Sequence, residues 1–89
     1  MEGTPARVNQ LQVKETLQSI EGVLDVHDLH IWTITSGLDS LSCHLLIEDQ
    51  ANGQLILQEA LQRIDKKFNI QHTTIQIENS QIVHPELQV

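Results

Sequence analysis

Metal-capable side chains crowd into one short stretch of this 89-residue sequence, Val26-His27-Asp28-Leu29-His30-Ile31-Trp32. Two of the five histidines and one carboxylate sit there among apolar residues, beside the only tryptophan. Neutral imidazole nitrogens and carboxylate oxygens are good ligands for zinc and similar borderline ions. His44, His72 and Glu78 lie in later segments that also carry strand-forming residues. Chemistry at such groups requires a scaffold that gathers them on one surface.

Periodicity supplies that scaffold. Thr4-Pro5 is a helix-start signal, with Asn9 a second cap candidate. Val13, Leu17 and Ile20 recur at helical spacing, and Gly22 is a suitable residue just past a helix end. Val, Ile and Trp suit a pleated, half-buried surface, so residues 23–35 read as the first strand. Ser36-Gly37-Leu38-Asp39 reads as a turn. In a second strand, 40–48, Leu41, Cys43, Leu45 and Ile47 alternate with Ser42, His44, Leu46 and Glu48, so His44 points away from the apolar face. Asn52 caps a helix over 53–67, with Leu57, Leu61, Ile64 and Phe68 as its apolar side. Lys66 and Lys67 suit the negative end of its dipole. A third strand spans 72–79, where Ile75 and Ile77 face one way and Gln76 and Glu78 the other. The tail, 80–89, contains Pro85 and lacks periodicity, which predicts an irregular extension of a single domain at 1–79.

The order α-β-β-α-β, with a right-handed crossover before the last strand, predicts an α+β fold. It is a two-layer sandwich: a three-stranded mixed sheet with both helices on one face. The other sheet face, which includes Leu46, is left bare and is a candidate interface.

Composition narrows the function. Twelve acidic against five basic residues give a formal charge of -7, which argues against nucleic-acid binding and suits cationic partners. A single cysteine excludes an internal disulfide and a CxxC site. No apolar run approaches the ~20 residues needed to span a bilayer. No nucleophile-base pair, phosphate loop or HExxH motif is present, so the sequence does not read as an enzyme.

Four pieces carry a family resemblance: Gly22-Val23 followed by Val26 to Trp32, Leu41-Ser42-Cys43-His44, Thr74-Ile75-Gln76-Ile77-Glu78, and Glu2-Gly3-Thr4-Pro5 at the start. Together they resemble the cytoplasmic C-terminal domain of cation diffusion facilitators, the zinc and divalent-metal efflux transporters. The resemblance implies a ferredoxin-like, metallochaperone-like sandwich and a homodimer through the open sheet face. It also implies a place on the cytoplasmic side of the membrane, below a transport domain that lies upstream in the family. Zinc, or another divalent transition metal such as cobalt, cadmium, manganese or iron, is the implied ligand. Carried over by position, the implied ligands are His27, His44 and Glu78. Three ligands and a water make an exchangeable site suited to sensing. Gln54 and Gln76 stand where some relatives carry further histidines, which argues against a full binuclear centre. His72 shares parity with Glu78 six residues away, which places it in a separate or intersubunit site.

Register opposes this ligand set. A tight turn at 36–39 places His44 across from Ile31, four residues and roughly 13 Å from His27. A bulge, strong twist or ligand from a second subunit is then required. His30, beside Asp28 and Trp32, reads as structural, Trp32 as core or interface, and Cys43 as a small buried hydrophobe. Competing readings are a free-standing metal carrier, which the missing CxxC sets apart from copper delivery, and a small-molecule-sensing module on a related sandwich.

Overall fold

The computed structural model describes residues 9–35 and 37–79. The elements run α1 (Gln10–Gln18), β1 (Val23–Thr35), β2 (Leu38–Ile47), α2 (Gly53–Phe68) and β3 (His72–Glu78). The three strands form one sheet in the order β1-β2-β3. β1 is antiparallel and β3 parallel to β2, as the hairpin and the crossover require.

Of the two start signals for α1, Asn9 is the N-cap: its side chain accepts from the backbone N–H of Leu11 at 2.9 Å and of Gln12 at 3.3 Å. Thr4-Pro5 and the tail at 80–89 lie outside the described residues. The helix ends at Ser19, before Gly22. Gly22 instead makes the corner into β1, with φ of 96° and its carbonyl accepting from Glu48 N–H at 2.9 Å. Asn52 caps α2 through Gln54 and Leu55 N–H, and Asn69 closes it in a left-handed conformation beside Lys66 and Lys67.

The helices pack on the sheet face that carries Leu41, Cys43, Leu45 and Ile47, all buried, together with Val13, Leu17 and Ile20. The apolar side of α2 differs from the sequence expectation. Ile56, Ala60 and Ile64 are the buried stripe, whereas Leu57 is half-buried and Leu61 exposed. Both stripes have helical spacing. The one centred on Ala60 faces inward, and its small side chain is fully buried. Arg63 ties the helices together, donating to Glu59 at 2.7 Å and to Ser19 Oγ at 2.9 Å.

Among the described residues nothing covers the opposite sheet face. Strand pairing places His27, His30 and Trp32 of β1 there, with Ser42, His44 and Leu46 of β2 and Thr74, Gln76 and Glu78 of β3. Trp32 is 43% exposed, so it belongs to this face and not to the core.

A Cβ at Gly22 would lie 2.9 Å from Ile56 Cδ1 and 3.2 Å from Ala51 Cβ, on a backbone that side chains rarely adopt. Gly22→Ala is expected to lower the unfolding free energy by about 1–3 kcal/mol in a urea titration.

Candidate metal centre

The register that opposed the site is not the one that forms. The strands already pair at Thr35↔Leu38, so Leu38 and Asp39 belong to β2 and the connection is shorter than a turn over 36–39. Thr33 Oγ1 donates to Asp39 Oδ1 at 2.9 Å across this end of the hairpin. Pairing then runs through Ile31↔Leu41 and His30↔Ser42. Continued unchanged, it would set His44 opposite Asp28 and His27 opposite Leu45, a core residue. A bulge between His27 and His30 corrects this, and His27 pairs with His44. Asp28 and Leu29 together oppose Cys43, and Asp28 takes φ of 54°. Bulges commonly give that left-handed position to glycine, and aspartate is one of the few other residues that tolerate it.

The bulge therefore turns His27 onto the open face beside His44, since a one-residue slip reverses every side chain beyond it. Their ring centroids are 5.2 Å apart. The parallel register puts Glu78 next to Leu46, at the end of β3, where its side chain folds in toward the rings. His27 Nε2 is 3.3 Å from Glu78 Oε1, and His44 Nδ1 is 2.9 Å from Glu78 Oε2. The ligand atoms of His27, His44 and Glu78 all lie within 4.8 Å of one another. Glu78 is 3% exposed, and Gln76 Nε2 donates to its Oε2 at 2.9 Å.

The contact between His44 and Glu78 has an unusual character. Nδ1 is buried and close to the carboxylate oxygen, yet the two are not oriented for a hydrogen bond and Nδ1 has no other hydrogen-bond partner. Two donor atoms this close, with no hydrogen bond joining them, stand as two ligands of one cation would. Zinc binds nitrogen and oxygen at about 2 Å, so two of its ligand atoms stand at most about 4 Å apart. The donor set fits a divalent ion, and the side chains would draw in from their span of up to 4.8 Å to hold it.

The other candidates are placed elsewhere. His72 pairs with Ser40 at the far end of β3, and its backbone carbonyl accepts from Ser40 Oγ at 3.0 Å. Six residues of strand put it about 20 Å from Glu78, so it does not join this cluster. His30 is on the open face but opposite Ser42, away from Glu78. Gln54 is exposed at the start of α2. Asp28 escaped sequence reasoning. Its Oδ2 lies 3.5 Å from His27 Nδ1 and 3.6 Å from His44 Nδ1, and the only sequence signal was a carboxylate directly following His27.

Comparison with known proteins shows the family and the fold. The sequence profile of the family described as "Cation efflux protein, cytoplasmic domain" matches residues 5–80. The chain belongs to that family. It is 42% identical over 81 residues to the cadmium, cobalt and zinc/H(+)-K(+) antiporter of Bacillus subtilis, covering 88% of this chain and 26% of that protein. It is 45% identical over 78 residues to a proton-coupled zinc antiporter of Mus musculus, covering 88% of this chain and 21% of that protein. The chain thus spans about a quarter of the length of such relatives. Among solved structures, the metal-bound C-terminal domain of the CzcD transporter from Cuprividus metallidurans superimposes with a TM-score of 0.76 at 39% identity. The match covers 80% of this chain and 99% of that one. The family is one of transporter domains, and the α-β-β-α-β sandwich is its fold. Among the described residues no helix is long and apolar enough to cross a membrane.

Cys43, adjacent to His44 in sequence, faces the core and takes no part in the cluster. Burial pushes its thiol from an ordinary value of 9.0 up to about 11. The folded protein then keeps a proton that the unfolded chain releases, so stability should fall as pH rises from 9 toward 11. Replacing Cys43 by Ala should flatten that fall in denaturant titrations across this pH range. At pH 8 the wild-type thiol should react with a thiol reagent only after unfolding.

Proposed function

We propose that this chain is the regulatory and dimerising metal-binding domain of a divalent-cation efflux transporter, with residues 1–79 as the folded unit. In this reading His27, His44 and Glu78 hold one zinc ion. The observation that carries it is the pair His44 Nδ1 and Glu78 Oε2, 2.9 Å apart with no hydrogen bond between them. Cobalt and cadmium suit the same nitrogen and oxygen donors, and the names of the bacterial relative include both.

Metal binding regulates only if the ion favours one arrangement of the protein over another. The ligands lie on the open sheet face, which also presents the half-exposed ring of Trp32. A second copy of the chain docking there would bring two acidic molecules together, each with a formal charge of -7. Divalent ions on that face lower the repulsion and favour the tighter dimer. An attached membrane domain that exchanges cations for protons would then feel the metal concentration through the spacing of the two copies.

Calorimetric titration of chelator-treated protein with zinc should show saturable binding. His44→Ala should weaken it at least about 10-fold, a loss of about 1.4 kcal/mol. Sedimentation velocity should show a dimer that zinc makes more compact. Wild-type affinity in a His27→Ala/His44→Ala double variant would overturn the assignment.

A further inference from the structure

Asp28 is a charged side chain beside the cluster that the three-ligand site does not use. Three observations bear on it. Its carboxylate oxygen Oδ2 is 3.5 Å from His27 Nδ1 and 3.6 Å from His44 Nδ1, so it lies against both rings. His27 faces two carboxylates with its two nitrogens, Nδ1 toward Asp28 and Nε2 toward Glu78. The backbone at Asp28 is held at φ of 54° by the bulge that also orients His27.

A neutral imidazole carries one proton, and only the other nitrogen can bind a metal. A carboxylate beside Nδ1 competes with Glu78, beside Nε2, for that proton; by drawing it to Nδ1 it leaves the Nε2 lone pair for the ion and increases the basicity of that lone pair. We propose that Asp28 is the positioning residue of the metal site: it fixes the Nδ1–H tautomer of His27 and adds a second negative charge beside the ion. The inference rests on the reading of His27, His44 and Glu78 as a divalent-metal site. With Glu78 it brings two carboxylate charges to a doubly charged cation. Asp28 is 63% exposed, so its carboxylate can rotate to shorten the contact with Nδ1 when the ring is drawn onto an ion.

The same geometry separates this role from a structural one. A left-handed aspartate costs backbone energy that glycine does not. Asp28→Gly should therefore leave the metal-free protein at least as stable as wild type while removing the carboxylate. Asp28→Asn keeps a side chain that tolerates the left-handed backbone and loses only the charge.

The test is zinc affinity by competition with a chelating dye for wild type, Asp28→Gly, Asp28→Asn and His44→Ala. Long-range 1H–15N spectra of the His27 ring in the metal-free proteins accompany it. Asp28→Gly should weaken zinc binding about 10- to 100-fold, with a smaller loss in Asp28→Asn. Its His27 signals should move from the Nδ1–H tautomer to a mixture, with no fall in the melting temperature of the metal-free protein. Wild-type affinity in both Asp28 variants, with binding lost in His44→Ala, would overturn the role of Asp28 and leave the metal site standing. An unchanged His27 tautomer in Asp28→Gly would do the same. Wild-type zinc affinity in His44→Ala would instead overturn the site itself.

Discussion

One additional residue in β1 decides which way His27 points. Without it, the register that begins at the hairpin would pair His27 with Leu45 and drive an imidazole into the core, while Val26 turned outward opposite Leu46. With it, Val26 takes the core position opposite Leu45, and His27 meets His44 on the open side. The two outcomes differ by the largest change a strand can undergo, a reversal of faces. One bulge therefore does both things: the arrangement that buries Val26 also exposes the nitrogen donors.

The bulge brings a buried carboxylate into the same neighbourhood. Glu78 is almost fully enclosed, Gln76 donates a hydrogen bond to it, and two imidazoles stand against its oxygens. An enclosed carboxylate is costly unless charge or hydrogen bonds compensate it. A cation bound among these groups would compensate all three together. Gln76 belongs to this balance, since its amide holds one oxygen of Glu78 in place beside His44.

Much of this architecture was legible in residue patterns. The alternation in β2 gave its inner and outer faces correctly, down to His44 pointing away from Cys43. Asn52 and Gly53 marked the start of α2. Three features were not legible, each for a physical reason. The hairpin is tighter than the composition of 36–39 suggests, because Leu38 and Asp39 complete strand pairing with β1. The inward stripe of α2 was misjudged because Leu57 and Leu61 share the spacing of Ile56 and Ala60, and fit against the sheet, not hydrophobicity, chose between them. The bulge leaves only a faint mark in the hydrophobic pattern, where the apolar positions Val26, Leu29 and Ile31 break the period of two at His27-Asp28. His27 was assigned to the site by family resemblance alone, and it is the bulge that brings it there.

The three groups around the cluster come from three different strands, and more than half of the chain separates His27 from Glu78. An ion held among them would act as a removable crosslink, closing a long loop much as a disulfide does, but with strength set by the free metal concentration. Glu78 is also the final residue of β3. Occupancy would therefore fasten the point at which the polypeptide leaves the sheet, and depletion would release it, so the fraying of one strand end would follow the metal supply.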